Sequence, residues 1–222
     1  MTDLSRYHTT EDLPQTFPIF PLPRALLLPR GRLPLQIFEP RYLDMVDDAL
    51  SSKRLIGMIQ PCDMERNPEN PELFPVGCIG RITAFKETRD QRYYITLTGV
   101  CRYRIKQELD CVTLYRQVAG DFLPYPEDLS PENENEDINR PQLISALKTY
   151  LAARQMNTDW ASIENASNEG LVNSLSIIGD FDVGEKQMLL EAPTLPKRAE
   201  ILIALIEFAN APSTGSADAP LQ

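Results

Sequence analysis

The sequence predicts an α+β protein in two parts: a small β-barrel with one inserted helix, followed by an α-helical bundle. Three observations carry that expectation. Residues 17 to 118 hold short apolar runs broken by proline and glycine, residues 33 to 50 switch once from strand to helix character, and residues 138 to 210 repeat apolar side chains at helical spacing. At 222 residues with 42% hydrophobic side chains, the chain can bury a substantial core.

Residues 1–16 are polar and predict a flexible N-terminal tail. FPIFPLPRALLLPRGRLPLQIF follows, with apolar residues set between Pro18, Pro21, Pro23, Pro29 and Pro34. Proline cannot donate to a ladder, so these mark short or edge strands with tight corners, which a barrel of short strands accommodates. In LPLQIFEPRYLDMVDDAL the pattern then changes at Glu39-Pro40. At about 100° per residue, Tyr42, Leu43, Met45, Val46, Ala49 and Leu50 share one arc, opposite Asp44, Asp47, Asp48 and Ser51. Pro40 suits a first helical position, where its missing N–H costs nothing, and Glu39 sits at the positive end of the helix dipole.

Next come RLIGMIQP, a short buried strand, and CDMERNPENPELFP, a polar loop. VGCIGRITAFKE and RYYITLTGVCRYRIKQE predict two strands joined by a turn near ETRD, with Gly99 marking a bulge or bend. LDCVTLYRQVAG predicts a further strand near residues 109 to 118, closing a barrel domain over 17–118. Residues 119–137 predict an acidic linker: DFLPYPEDLSPENENED has seven acidic residues and no basic one. INRPQLISALKTYLAARQM, EGLVNSLSIIG, VGEKQMLLEA and TLPKRAEILIALIEFAN predict the bundle over 138–210, the last with Thr194 as cap, Pro196 in its first turn and an apolar face through Phe208. Residues 211–222 predict a disordered tail.

The formal net charge is -10 and the pI about 4.7. That argues against a general polyanion binder, whose affinity comes from Lys and Arg on phosphate, so nucleic acid is a disfavoured partner. No basic-then-apolar leader, run of about 18 apolar residues or lipidation motif is seen, so a cytoplasmic chain with no membrane contact is expected. Cys62, Cys78, Cys101 and Cys111 lack C-x-x-C spacing and the lone histidine is His8, which predicts reduced thiols, no disulfide and no metal. G-x-S-x-G, H-E-x-x-H, G-x-G-x-x-G and the phosphate-binding G-x-x-x-x-G-K-[ST] are all missing. Adjacent Asp47 and Asp48 diverge on a helix and read as a solvated face. No catalytic residue, no cofactor and no enzymatic activity are expected.

FPIFPLPRALLLPRGRLPLQIFEPRYLDMVDDAL, LIGMIQP, VGCIGRI, ITLTGVCRYRI and NSLSIIGDFDVGEKQMLLEAPTLPKRAEILIALIEFA occur in an order that resembles the Lon N-terminal substrate-binding domain family, over most of residues 17 to 209. The resemblance is to its stand-alone bacterial members, without ATPase and peptidase modules. It implies a PUA-like barrel with one inserted helix and a following helical bundle. It also implies noncatalytic selection of protein substrates, in a setting of protein quality control.

Three groups are candidate sites. Glu39, Arg41 and Tyr42 start the helix; they either flank a peptide groove, Arg41 reaching a carbonyl or carboxylate, or form a local ion pair with Tyr42 packed inward. Arg81, Arg102 and Arg104, with Arg89 and Arg92 near the turn, form either a nucleic-acid face or an ordinary solvated strand face across which the acidic segment could lie. Leu26, Leu27 and Leu28 are either core or an exposed patch. The expected function is binding of polypeptide or unfolded segments by the barrel and the cleft between the two parts. An RNA-binding PUA-like protein, or an adaptor docking on an ATP-dependent protease, are the alternatives.

Overall fold

The computed structural model describes residues 6–63, 70–132 and 137–210. In chain order the elements are β1 (Thr16–Pro21), β2 (Arg32–Ile37), α1 (Pro40–Leu50), β3 (Leu55–Ile59), β4 (Pro61–Asp63), β5 (Glu72–Leu73), β6 (Val76–Glu87), β7 (Tyr93–Glu108), β8 (Gln117–Asp121), α2 (Arg140–Ala153), α3 (Trp160–Asn165), α4 (Asn168–Ile178), α5 (Val183–Glu191) and α6 (Leu195–Asn210). None of these helices is long and apolar enough to cross a membrane.

The main sheet runs β2-β7-β6-β3-β1-β8, and β8 pairs with β7 as well as with β1. The pairings therefore return to their start, leaving β2 alongside the first half of β7. The length of β7 makes this possible: residues 93–98 pair with β2 and residues 104–108 with β8. The register with β6 slips between the pairs Ile79–Cys101 and Gly80–Gly99, leaving Val100 as the extra residue beside Gly99. Here the chain entering β2 crosses: Gly99 donates to the Gly31 carbonyl at 2.9 Å and accepts from Arg30 N–H at 2.8 Å. A Cβ on Gly99 would overlap the Leu28 carbonyl oxygen, so no other residue fits without a shift.

The middle of the sheet is buried on both faces, while β2 and the far ends of β6 and β7 carry exposed residues. One face gathers Phe17, Ile19, Leu55, Ile79, Cys101 and Tyr103 into one cluster. The other face, with Ile56, Met58, Cys78, Ile82 and Leu97, joins α1 and the helical lobe in a second cluster that runs unbroken to Leu189, Leu202 and Ile206. Leu26, Leu27 and Leu28 are all core within it.

Several expectations need correction. Residues 6–16 are not a loose tail: Tyr7 and Leu13 are buried around a short 3-10 turn, Thr10–Asp12. Residues 109–116 are not a strand; β8 starts only at Gln117 and extends to Asp121. Phe122 and Asp128 are buried, so the acidic segment up to residue 132 packs on the β lobe, while residues 133–136 lie outside the described residues. Residues 64–69 of the polar loop and the tails 1–5 and 211–222 lie outside them too. α3 had no apolar period to announce it and rests instead on an Asp159 cap. Phe208 is exposed rather than on the packed face of α6.

The expected cleft between the parts is filled. Arg102, only 6% exposed, pairs with Asp128 at 2.8 Å and donates to the carbonyls of Leu190 at 3.2 Å and Ala192 at 2.7 Å. Gln187 donates to the Val76 carbonyl at 3.0 Å, Asn173 to the Pro29 carbonyl at 3.1 Å, and Arg30 pairs with Glu169 at 2.7 Å. Arg198, buried nearby, donates to the Leu189 carbonyl and to Asn173; burial and the charge of Arg102 push it down to about 10. Each of these donors reaches an acceptor, those of Arg198 within the helical lobe and the others across the junction or in the turns beside it, which is what buried polar groups require.

Candidate functional site

An open concavity lies instead within the β lobe, at the start of α1. It is a cleft of about 220 Å³. Its floor comes from the end of β1, with Phe20 and Leu22, and from Leu35 and Ile37 of β2. Pro21, Pro23, Pro61 and Pro71 line it as well. Prolines have no N–H, so this wall presents ring carbons and few donors.

The first rim follows from Glu39-Pro40. β2 ends at Ile37, Pro40 opens α1, and Glu39 stands at the cap position with its carbonyl accepting from Tyr42 N–H at 2.9 Å and Leu43 N–H at 3.0 Å. That corner turns Phe38 outward, 61% exposed. Tyr42 packs inward at 8% exposure with its ring 4.3 Å from that of Phe20. Arg41 lies over the Tyr42 ring at 4.6 Å and pairs with Glu39 at 3.0 Å. The local ion pair and the inward tyrosine of the architectural reading are therefore present. The same three residues also line the cleft.

The second rim is the irregular segment 109–116. Thr113 Oγ1 donates to the Tyr115 carbonyl at 2.8 Å, which folds the segment on itself. Leu114 points out, 74% exposed, and Tyr115 returns inward. The Tyr115 hydroxyl donates to Asp48 at 2.6 Å; burial first and that carboxylate second hold the phenol well above its ordinary range, so it remains a donor. Arg116 pairs with Glu108 and donates to the Pro71 carbonyl at 2.8 Å. Phe38, Leu114, Tyr115 and Arg116 were not among the expected site residues. Leu114 and Tyr115 belong to an apolar stretch that reads as strand and hence as core. The one available signal was Thr113 within it, a residue able to fold its own backbone into a turn.

The arginines proposed as a nucleic-acid face do not form one. Arg102 is inside the lobe junction, because the helical lobe covers that face of β7. Arg81 donates to the Lys53 carbonyl at 2.9 Å and to the Tyr7 hydroxyl at 3.4 Å. Arg104 is exposed, and Arg92 pairs with Asp90 at 3.0 Å. The acidic segment does lie across this side of β7, through Asp128. As for nucleophiles, burial drives the thiols of Cys78 and Cys101 far above neutrality, which leaves both as inert packing groups.

Comparison with known proteins adds the following. Lon protease 2 of Myxococcus xanthus is 25% identical over 207 residues, 88% of this chain and 24% of that protein. The Lon protease of Desulfosudis oleivorans is 33% identical over 100 residues, 44% of this chain and 12% of that protein. The chain thus spans about a quarter or less of the length of these relatives. Two solved structures share the fold. One is a Lon N-terminal domain protein from Xanthomonas campestris, with TM-score 0.57, 22% identity, and coverage of 85% of this chain and 97% of that one. The other is the N-terminal domain of Mycobacterium avium complex Lon protease, with TM-score 0.61, 17% identity, and coverage of 86% and 98%. The family described as the ATP-dependent protease La (LON) substrate-binding domain matches residues 16–207, and the chain belongs to that family.

Proposed function

We propose that this chain binds polypeptide segments, unfolded ones included, in the cleft at the start of α1, and that it does so without breaking bonds. The observation that carries the reading is the pair of exposed apolar side chains, Phe38 and Leu114, at the mouth of a cleft with proline-rich walls. An extended segment laid between them would remove both from water, at roughly 25 cal/mol per Å² of apolar surface. Arg41 lies at the rim with its guanidinium half-exposed and would donate to a carbonyl of the bound segment. Such contacts ask for apolar side chains and a backbone rather than one sequence, which suits substrate selection in protein quality control. Membership of a substrate-binding family supports polypeptide as the ligand class. The burial of Arg102 and the net charge of -10 weigh against nucleic acid.

The test is fluorescence anisotropy with a labelled, unstructured, apolar peptide. Leu114→Ser is expected to weaken binding about 10-fold and Arg41→Ala about 3-fold, with unchanged melting temperatures. Equal affinity for wild type and Leu114→Ser would overturn the site. Hydrolysis of peptide or ATP by the pure chain would overturn the noncatalytic reading.

A further inference from the structure

The rim of this cleft carries a charge pattern that an apolar grip does not need. Both guanidinium groups on the cleft are matched locally, Arg41 by Glu39 at 3.0 Å and Arg116 by Glu108 at 2.6 Å. The next carboxylates along α1 are not. Asp44, Asp47 and Asp48 are exposed, and no Lys or Arg among the described residues lies within ion-pair distance of them. Their partners are neutral: Tyr93 donates its hydroxyl to Asp47 at 3.3 Å, and Tyr115 donates to Asp48 at 2.6 Å. A hydroxyl donor satisfies a lone pair but leaves the charge in place. Tyr115 lines the cleft, so Asp48 stands one hydrogen bond behind its wall. The charge of Asp44 also reaches both phenols, adding to the effects of burial and of their own carboxylate partners. Asp44 and Asp48 follow Arg41 at helical spacing on α1, so the cleft wall made by Glu39, Arg41 and Tyr42 continues along that helix into exposed carboxylates.

Resting on the reading that the cleft holds polypeptide, we propose that its preferred occupants are apolar segments flanked by Lys or Arg, with Asp44, Asp47 and Asp48 facing the cationic flank. Acidic segments are disfavoured by the same three charges and by the net charge of -10 of the whole chain. Each contact is solvated and worth about a 2-fold change in affinity, so roughly 10-fold separates Lys-flanked from Glu-flanked segments.

The test uses three labelled peptides with one shared apolar centre and flanks of Lys, Gln or Glu, titrated by anisotropy at about 0.05 M and about 0.3 M salt. The expected order is Lys, then Gln, then Glu, spanning about 10-fold at low salt and shrinking several-fold at high salt. Asp44→Asn/Asp47→Asn/Asp48→Asn, which keeps an acceptor for both tyrosine hydroxyls, brings the Lys-to-Glu ratio close to one. Asp44→Asn alone, at a carboxylate with no hydrogen-bond partner among the described residues, lowers that ratio by about 2-fold. Equal binding of the three peptides, or an unchanged ratio in the triple variant, overturns the inference. Leu114→Ser separates the two levels. If the Gln-flanked peptide needs Leu114 but flank charge has no effect, the selectivity fails and the polypeptide cleft stands. If no peptide depends on Leu114, both fail.

Discussion

Asp128 shows how much of this fold hangs on single side chains. From a short 3-10 turn, Pro126–Leu129, it accepts from the Arg102 backbone N–H at 2.8 Å and from the guanidinium at 2.9 Å and 2.8 Å. Both groups are buried, so removing one leaves the other charged and unpaired. Asp128→Ala is expected to cost about 3–5 kcal/mol, read as a fall in the urea midpoint, whereas Arg104→Ala on the exposed part of the same strand stays within about 0.5 kcal/mol. Lys186 makes a second residue-scale case. Its Nζ donates to the carbonyls of Ser176 and Ile177 at the end of α4, at 3.0 Å and 2.6 Å. Burial lowers its pKa from the ordinary 10.5 to about 8. Between those values the unfolded chain keeps a proton that the folded chain has shed, so this group's contribution to stability rises with pH and is least favourable below about 8. Wild type should therefore gain stability relative to Lys186→Met from pH 7.5 to 10, checked by urea titration at each pH. A parallel pH dependence in the two proteins would contradict it.

At the scale of elements, α1 was legible almost entirely: Tyr42, Met45, Val46 and Ala49 are the buried face that the helical period picks out, and Pro40 starts the helix. β7 was legible from its alternation of side chains and β6 as a β-rich run ending at the ETRD turn. The alternation also placed Arg102 correctly on the face opposite Tyr103. What it could not supply was the cover, because a strand's outer face meets water or a helix according to contacts far along the chain, here with Leu190 and Ala192. Segment 109–116 misled for a local reason. Val112, Leu114 and Tyr115 have strand composition, yet hydrogen bonds from Thr113 and Cys111 to the Tyr115 carbonyl close the segment into a turn. So Glu39, Arg41 and Tyr42 on one rim of the cleft could be read from sequence, and the facing rim could not. Gly99 was readable as a bend, and the crossing at Leu28–Pro29 explains it. Gly99→Ala should destabilise by about 2 kcal/mol or more, seen in thermal unfolding, because strand and crossing must separate.

Taken whole, the molecule is two lobes with one apolar core between them, continuous from Ile56 and Leu97 to Leu202 and Ile206. Its buried polar contacts join residues far apart in sequence, such as Asn173 with Pro29 and Gln187 with Val76. A fragment ending at residue 132 would expose that face of the sheet and strand Arg102 without its carbonyls; it should bind a hydrophobic dye and lose sharp methyl signals. With the lobe junction closed, the α1 cleft is an open concavity of the β lobe flanked by exposed apolar side chains, and the proposed function rests there. The most direct measurement is methyl NMR of the full chain titrated with an unstructured apolar peptide. The account predicts saturable shifts centred on Leu22, Leu35, Ile37 and Leu114, with those of the first three reached only at about 10-fold higher peptide in Leu114→Ser. Shifts confined to the helical lobe, around Ile178 and Ile201, with the cleft methyls unmoved at saturation, would contradict it.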